Sequence, residues 1–251
     1  ESTLTYSSNT LLSTSDNFVI KSIDTNASNS ENYIQFNAGY ITYDSDASDA
    51  TGYSGHYFQA DGAEKLRING SGQLIFDADT NTYLARPAAD TFAFTTGGTE
   101  RMRIDADGIV TKPNQPSFSA YSTGNWTHGS DTGYLNLDHI TTELFDNGGN
   151  YNTSTGVFTA PVAGKYFFTL TYAYINTSGY LVIYLQKGVS GTYNEYGAMD
   201  VWVPQQSSAY QGSPIMGVID LAAGNTVRPI VQLNYAGNIL SNTHFSGYLI
   251  G

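Results

Sequence analysis

The residue types that most often carry out catalysis or bind metal ions are few and scattered in this sequence. The chain has no cysteine, which excludes a thiolate nucleophile, a thiolate metal site and a disulfide framework. The histidines are His56, His128, His139 and His244. None has a second histidine at the helical spacing of zinc hydrolases, and no nucleophile elbow, phosphate-binding loop or dinucleotide fingerprint occurs. We therefore predict that the protein is not an enzyme and that its histidines are ordinary surface or strand residues.

Two groups of closely spaced aspartates are the other candidate sites. Alternating aspartates in a loop can gather oxygen ligands around Ca²⁺. The groups are Asp44, Asp46 and Asp49, and Asp105 and Asp107. Neither has a glutamate at the distance that completes a known calcium loop, so solvated turn aspartates are favoured. We expect no cofactor and no metal ion, with weak Ca²⁺ binding as the alternative. A glycosidase-type carboxylate pair stays open, because such pairs meet only in space.

The overall composition excludes several classes of partner and favours β structure. Ten lysines and arginines against 22 aspartates and glutamates give a net charge of −12, which repels phosphate backbones and anionic lipid. Only 13 % of the residues are charged, whereas helix surfaces are usually rich in charge. The longest apolar stretch, residues 166–175, is about half as long as the roughly 20 residues that span a bilayer. We expect neither a nucleic-acid partner nor membrane insertion.

The 251 residues allow one large β domain or two smaller units, and a proline-containing segment favours two. Pro113 and Pro116 cannot donate ladder hydrogen bonds and favour an extended linker. We place the domain boundary there, between residues 1–115 and residues 116–251. The sequence begins at Glu1 without a basic and apolar leader. We therefore expect it to be a processed or truncated piece of a longer protein.

The first 50 residues carry thin apolar clusters between polar runs. Ser, Thr, Asn and Asp account for 27 of them, a density that can mean disorder. The clusters, for example residues 18–20 and 33–36, are β-branched or aromatic and the polar runs contain good turn formers, so short strands are favoured. A single chain could hardly bury a core from such clusters. We expect three chains to wind together and pool them along a common axis.

A repeat with an offset of 36 residues follows. Residues 62–72 and 98–108 align so that a glutamate, an arginine, an isoleucine and a closing glycine coincide. Each copy predicts a hairpin, because an alternating strand leads into a glycine-containing turn and a second apolar strand. The hairpins are expected near residues 58–76 and 94–112.

The second copy resembles a block found often in bacteriophage tail fibres, Gly-x-x-x-Met-Arg-Ile-Asp-x-x-Gly-x-Val. Residues 98–110 fit this block closely, and residues 62–74 fit it more loosely. The resemblance implies a homotrimeric shaft or collar that leads into a distal head. The alternative is that these are ordinary hairpins of an extracellular β protein.

Beyond residue 116 the predicted strands are longer and alternate more strongly. In residues 165–174 the side chains at even positions are aromatic or apolar, and we predict that they face the core. The odd positions after 165 are small or apolar, as in an inner sheet that is covered on both sides. Further strands are predicted at residues 180–186, 198–203, 215–221, 226–234 and 244–250. Many strands at regular spacing predict a sandwich or jelly roll.

The stretch from Ile140 to Leu170 resembles the signature of the complement C1q globular-head family, a trimeric jelly roll shared with the tumour necrosis factors. The residues at the spacings of the signature are Asp146, Tyr151, Phe158, Gly164, Tyr166 and Phe168. Ile140 and Leu170 stand where aromatic residues are usual, and a core tolerates both apolar exchanges. Residues 116–120, 151–161 and 245–249 resemble the opening, central and closing strands of the family.

This resemblance implies a compact homotrimer with both termini at its base and loops at its free apex. The predicted fold is therefore all-β, with a homotrimeric, β-rich intertwined shaft of hairpin repeats followed by a C1q/TNF-like jelly-roll head.

The strand order of the family brings three loops together at the apex, near residues 176–179, 204–211 and 235–242. Aromatic faces stack on sugar rings, and Asn and Gln amides offer donors and acceptors to hydroxyl groups. The candidate ligand-binding residues are Gln205, Gln206, Tyr210, Tyr235, Asn238 and Asn242. Trp202 and Trp126 come next. The alternative is that the tyrosines pack on strands and the amide-rich loops are simply soluble.

Together these features predict a bacteriophage tail fibre or other virion appendage whose trimeric head binds a cell-surface receptor of the host. The receptor is a glycan or a protein, with a glycan favoured. The expected partners are two further copies of the chain, this receptor and an upstream component of the fibre or tail. The expected location is the virion surface, after assembly in the host cytoplasm. The alternatives are a purely structural trimerisation cap, a bacterial surface adhesin, or a polysaccharide-degrading spike.

Overall fold

The computed structural model consists of β-strands joined by turns and loops. It describes residues 4–7, 10–13, 18–24, 30–37, 40–45, 55–128, 133–176, 181–195, 212, 214–233, 237–239, 241 and 243–251. Every regular element in this part of the chain is a strand, and none of the described residues belongs to a helix that could cross a membrane. The predicted all-β class is confirmed.

The chain divides into two compact units, Glu1–Pro113 and Asn114–Gly251, which we call the repeat unit and the head. The division falls inside the segment 111–116, where two prolines interrupt strand pairing.

In the repeat unit, each strand pairs antiparallel with strands adjacent to it in sequence. The strands are β1 (Leu4–Ser7), β2 (Thr10–Ser13), β3 (Phe18–Asp24), β4 (Ser30–Asn37), β5 (Tyr40–Ser45), β6 (Gly55–Ala60), β7 (Ala63–Asn69), β8 (Leu74–Phe76), β9 (Tyr83–Ala85), β10 (Phe92–Thr96), β11 (Thr99–Ile104) and β12 (Val110–Thr111). β1 pairs with β2, β3 to β5 form a three-stranded sheet, and β6 to β12 form a seven-stranded sheet. The predicted hairpins correspond to β6–β8 and β10–β12.

The head contains the longer strands. They are β13 (Ser117–Tyr121), β14 (Trp126–His128), β15 (Gly133–Asn136), β16 (Thr142–Asn147), β17 (Tyr151–Asn152), β18 (Val157–Thr159), β19 (Gly164–Thr171), β20 (Tyr174–Asn176), β21 (Leu181–Val189), β22 (Thr192–Glu195), β23 (Ile215–Leu221), β24 (Thr226–Leu233), β25 (Gly237–Ile239) and β26 (His244–Leu249).

The strands of the head form three sheets with non-sequential neighbours. A five-stranded sheet has the order β16-β13-β26-β19-β23, and a six-stranded sheet has the order β17-β18-β24-β21-β22, with β15 also pairing with β24. A small sheet has the order β14-β25-β20. The first and last long strands, β13 and β26, are neighbours at the centre of the five-stranded sheet. This jelly-roll arrangement confirms the predicted head fold.

The core of the head is an aromatic cluster between the two large sheets. Phe118 on the five-stranded sheet stacks on Phe158 on the six-stranded sheet, with ring centroids 5.0 Å apart. Tyr166, Phe168 and Leu170 are completely buried, as the alternation in residues 165–174 predicts. Inward-facing rings from both sheets therefore hold the sandwich together, because their burial removes large apolar areas from water.

Two predicted elements differ from the observed ones. Residues 165–174 do not form one strand, because β19 ends at Thr171 and β20 begins at Tyr174 with a new partner, β25. The loop predicted at residues 235–242 contains the strand β25. The strand predicted at residues 198–203 lies outside the described residues.

Candidate functional site

The small sheet lies at the end of the head opposite to the C-terminus. Along the chain, β14 is the next strand after β13, β20 is the next strand after β19, and β25 is the strand before β26. These three strand ends are neighbours in the register of the five-stranded sheet, where Tyr121 and Thr171 are both opposite His244. The other end carries the C-terminus, where the Lys165 N–H donates to Gly251 O over 2.8 Å. We call the end with the small sheet the apical end.

The apical end includes one of the six predicted ligand-binding residues. Asn238 occupies the middle of β25, opposite Thr127 of β14 and Ile175 of β20. The remaining candidates lie outside the described residues. These are Gln205, Gln206, Tyr210, Tyr235 and Asn242, together with Trp202.

Trp126, named as a further candidate, is packed into the apical end. It is partly buried against the core, and its ring stacks on the His139 imidazole at a centroid distance of 5.5 Å. One face of the indole is therefore covered by the protein. Beside it, the Ser241 N–H donates to Asn125 Oδ1 over 2.8 Å, which ties the loop before β14 to the loop after β25.

His139 departs from the expectation of an ordinary surface or strand histidine. It lies in the turn between β15 and β16, and neither ring nitrogen has a hydrogen-bond partner among the described residues. Burial lowers the pKa of His139 to about 4, although Asp138 opposes this shift. The neutral imidazole thus acts as an aromatic packing element against Trp126.

The other histidines lie on strands of the two units. His56 lies on β6 of the repeat unit, His128 ends β14, and His244 begins β26 with its ring stacked on Tyr121 at 5.4 Å. Within the described ranges, no three His, Asp or Glu side chains are grouped so that they could hold a metal ion.

Asp105 of the second repeat has a structural role in its turn. Asp105 Oδ1 accepts the N–H groups of Asp107 and Ile109 over 3.0 and 2.8 Å. In the first repeat, Asn69 Oδ1 accepts the N–H groups of Ser71 and Gln73 over 3.1 and 2.9 Å. Because an uncharged amide makes the same two bonds, the turn needs the oxygen acceptor and not the negative charge. Of the other group, the backbone of Asp44 belongs to β5, whereas Asp46 and Asp49 lie outside the described residues.

The outer face of the five-stranded sheet in the head carries exposed apolar side chains among serines and threonines. Alternate residues of each strand point away from the core, and the cross-strand register aligns them in rows. Ser117, Tyr248, Phe167 and Val218 form one row, and Phe145, Ser119, Ser246, Thr169 and Met216 form the next. Phe145, Met216, Val218 and Tyr248 are between 45 % and 56 % exposed. We call these four residues and Phe167 the head face.

One face of the seven-stranded sheet in the repeat unit is apolar almost throughout. The register places Leu74 opposite Ile68 and Leu84, and Phe94 opposite Leu84 and Met102. The repeat face comprises Phe58, Leu66, Ile68, Leu74, Phe76, Leu84, Phe92, Phe94, Met102, Ile104 and Val110, together with His56. Six of these side chains are 36 % to 56 % exposed.

The opposite face of the same sheet carries charged side chains. Arg103 Nη2 lies 2.6 Å from Glu100 Oε2, and Arg67 Nη1 lies 3.5 Å from Glu64 Oε2. The Arg103 guanidinium, chiefly by hydrogen bonding, lowers the pKa of Glu100. The repeated Glu-x-x-Arg unit therefore gives the sheet one polar face, which leaves the repeat face as its apolar side.

Comparisons with known proteins identify the head. Residues 117–250, which are more than half of the chain, match the C1q domain. The chain belongs to the C1q domain family. C1q domains act as binding modules without enzymatic activity and are typically trimeric. A search of curated proteins found no significant relative.

Several solved structures are similar to the C1q domain of this chain. The globular domain of zebrafish complement 1qA is 19 % identical and covers 55 % of this chain and 98 % of its own, with a TM-score of 0.40. Murine APRIL at pH 5.0 is 11 % identical and covers 54 % and 99 %, with a TM-score of 0.43. Eiger TNF from S. frugiperda is 11 % identical and covers 54 % and 91 %, with a TM-score of 0.41.

The signature residues of the C1q domain hold its fold together. The Tyr151 hydroxyl donates to Ile140 O over 2.8 Å, and the Tyr151 N–H donates to Asp146 Oδ2 over 2.8 Å. Burial raises the pKa of Tyr151, so the phenol stays protonated as a donor. At Gly164 a Cβ atom would lie 2.7 Å from a Leu249 methyl group and 3.1 Å from Gly251 O. These positions are thus structural and do not form a ligand site.

Sequence reasoning predicted a covered second face for β19, which includes Phe167, but missed the head-face residues on the other strands. The strand β23 has apolar residues on both of its sides: Ile215, Ile219 and Leu221 are buried, and Met216 and Val218 are exposed. A strand that is apolar on both sides predicts a second packing partner. This signal was present in residues 215–221 and marks candidate interface residues.

Proposed function

We propose that the chain is a segment of a trimeric virion appendage, a bacteriophage tail fibre or a related structure, whose C1q head binds a cell-surface receptor. The observation that carries this proposal is the presence of exposed apolar side chains on one sheet face of each unit, the head face and the repeat face. Monomeric proteins seldom expose apolar patches of this kind. Two further copies of the chain would cover both faces, because each copy carries the same apolar residues in its head and in its repeat unit.

The repeat face fits the shaft of such a fibre. A two-sided sheet with one apolar and one ionic face can close into a three-sided assembly with the apolar faces inside. The shaft would then have its Glu–Arg pairs outside, and an upstream component of the fibre or tail would precede it. The proposed location is the virion surface, after assembly in the host cytoplasm.

The proposed receptor site lies at the apical end. It uses the six candidate residues of the sequence analysis, of which Asn238 belongs to the small sheet at the apical end. Three equivalent sites on one head would raise a weak affinity for a surface glycan through multivalency.

The oligomeric state is the first test of this proposal. The intact chain should have three times its subunit mass of 27.1 kDa, which is 81.3 kDa, in multi-angle light scattering. Val218→Asp on the head face should shift the head toward monomer, because burying an unpaired carboxylate is costly. Val189→Asp is the matched control, since Val189 is also exposed but lies on the six-stranded sheet. A wild-type mass of 27.1 kDa would contradict the proposal.

Receptor binding is tested on the trimer itself. Tyr235→Ala should abolish attachment of the labelled chain to host cells while the light-scattering mass stays at that of the trimer. Unchanged attachment would count against the apical site and would favour a purely structural cap. Release of new reducing ends from host glycan would point to a polysaccharide-degrading spike.

A further inference from the structure

A second candidate binding site lies on the outer face of the six-stranded sheet of the head, away from the apical loops. The strands β21 and β24 pair so that Gln186 is opposite Arg228 and Val182 is opposite Gln232. Since alternate residues face the same way, Tyr184 lies on this outer face between Val182 and Gln186. We call Arg228, Gln186, Tyr193, Tyr184, Gln232 and Tyr134 the Arg228 cluster.

The guanidinium of Arg228 is held in place by uncharged groups. Its Nε and Nη2 atoms both donate to Gln186 Oε1, over 3.0 and 2.9 Å, and Gln186 is only 8 % exposed. The Tyr193 ring covers one face of the guanidinium, with a distance of 3.4 Å from the ring centroid to Cζ. This combination fixes the orientation of the cation before any ligand arrives.

Gly188 makes room for this arrangement. A Cβ atom at Gly188 would lie 2.8 Å from the Tyr193 ring and 2.2 Å from Thr226 Oγ1. The ring therefore crosses β21 at the one residue of that strand without a side chain, and this places it over Arg228 on the neighbouring strand.

Arg228 forms no ion pair with any carboxylate whose side chain the structure describes, although the chain has 22 acidic residues and a net charge of −12. The backbone of Glu195 lies opposite Gln186 on β22, and its side chain is outside the described part of the structure. Burial also lowers the pKa of Arg228, although Tyr193 opposes this shift, so the cation is partly desolvated. The Nη1 atom donates to none of the described residues, so it is available to an anion.

An aromatic and amide surface continues from Arg228 along the same face. The Tyr184 hydroxyl donates to Gln232 Oε1 over 3.2 Å, and the Tyr134 and Tyr184 rings lie 6.0 Å apart. Tyr134 is 52 % exposed and stands opposite Gln232, four residues along β24 from Arg228. At about 3.3 Å per residue this separation is roughly 13 Å, which suits a short oligosaccharide.

We propose that the Arg228 cluster binds an acidic saccharide, with Arg228 on the sugar carboxylate and Tyr134 and Tyr184 against the sugar rings. A planar guanidinium whose Nη1 donates to none of the described residues matches a carboxylate, and the two neighbouring tyrosine rings distinguish a sugar acid from a simple anion. The site is separate from the proposed apical site. It requires only that the head is folded.

Isothermal titration calorimetry with trigalacturonate tests the proposal on the intact chain. The salt concentration should be near 0.15 M, where a Debye length of about 8 Å screens distant carboxylates. Wild type should bind trigalacturonate and should bind its methyl-esterified form at least about ten-fold more weakly, since one charge-assisted hydrogen bond contributes about that factor. Arg228→Gln should weaken trigalacturonate binding by a similar factor. The matched control is Lys112→Gln, which removes the same charge from the repeat unit and should leave affinity unchanged.

Three outcomes would overturn the inference. These are no binding of trigalacturonate by wild type, equal binding by Arg228→Gln, and inorganic phosphate binding as tightly as trigalacturonate. If Arg228→Gln fails to fold, judged by tryptophan fluorescence, Tyr134→Ala replaces it, because Tyr134 is exposed. That variant should bind trigalacturonate several-fold more weakly, and unchanged affinity would contradict the site. Since the assay does not depend on the trimer or on host cells, a monomeric chain that binds trigalacturonate would separate this inference from the proposed function.

Discussion

Equivalent residues of the two repeats show which chemical property a position needs. Asn69 and Asp105 are 36 residues apart and accept the same pair of backbone N–H groups. The glycine three residues later has positive φ in both copies, 72° at Gly72 and 80° at Gly108. The two copies therefore share one turn, closed by an oxygen acceptor and a left-handed glycine.

We expect Asp105→Asn to be nearly neutral, because Asn69 already serves in that role. Asp105→Ala should destabilise the repeat unit by about 1 kcal/mol, since two N–H groups lose their acceptor. Chemical denaturation followed by far-UV circular dichroism measures both changes. The control is Asp107→Ala, whose side chain has no part in these bonds. Equal losses for the Asn and Ala variants would show that the charge matters, and would reopen the question of Ca²⁺ at this turn.

His139 makes the stability of the head depend on pH. Its folded-state pKa of about 4 lies below the ordinary value of 6.5, so the unfolded chain takes up the proton first as the pH falls. Stability should therefore be constant above pH 6.5, decrease between about 6.5 and 4, and not change further on this account at lower pH. The maximum loss is about 3 kcal/mol from the shift alone, and solvent around the partly buried ring reduces it.

His139→Phe should remove most of this slope between pH 7 and pH 5, because phenylalanine can still stack on Trp126. Denaturation midpoints followed by tryptophan fluorescence report on the head alone, since both tryptophans, Trp126 and Trp202, belong to it. His56→Phe, in the repeat unit, is the matched control and should retain the slope. A slope that survives in the His139 variant would assign the pH dependence to other groups.

At the scale of elements, local alternation predicted the strands but not their partners. The strand predicted at residues 215–221 coincides with β23, because its apolar residues and flanking turn residues mark both ends. In contrast, the alternation of core-facing side chains continues unbroken from Tyr166 to Tyr174. Within this stretch the chain nevertheless passes from β19, which pairs with β26, to β20, which pairs with β25. A change of partner depends on residues distant in sequence, so no local pattern reveals it.

The same limit applies to the candidate sites. The apical loops were predicted from a family resemblance, whereas the Arg228 cluster combines residues from β15, β21, β22 and β24 that no motif links. Tyr193 and Arg228 are 35 positions apart in sequence, and only the strand register brings them together. The head face, in contrast, could have been predicted from the two-sided apolar character of β23.

β26, the central strand of the five-stranded sheet, has no room for a side chain at Gly247. A Cβ atom there would lie 2.5 Å from the Phe168 ring and 2.9 Å from the Phe118 ring, and both rings are fully buried. Gly247→Ala should therefore destabilise the head by about 1–3 kcal/mol through overpacking. Gly124→Ala is the control, since an added Cβ atom meets nothing within 4 Å. Equal midpoints in tryptophan-monitored denaturation would show that the rings can shift without cost.

At the scale of the whole molecule, the described parts of the two units differ in how much buried core they contain. Head strands face a buried cluster of more than twenty apolar residues, whereas Ile75 and Ala93 are the buried apolar residues described in the repeat unit. Because residues 55–113 contain so little buried core, we expect the repeat unit to need surface from other chains to be stable. The head can fold on its own core and can then bring three repeat units together at the high effective concentration that a covalent connection provides.

We therefore expect residues 1–113 alone to form a trimer only at much higher protein concentration than the intact chain. Light scattering over a dilution series measures this difference, and the isolated repeat unit should dissociate at concentrations where the intact chain remains at 81.3 kDa, three times 27.1 kDa. Val218→Asp in the intact chain should have the same effect as removal of the head, because it breaks the head face and leaves the repeat face untouched. The matched Val189→Asp variant should behave as wild type. If residues 1–113 trimerise as readily as the intact chain, the repeat face is sufficient by itself and the head does not nucleate the assembly.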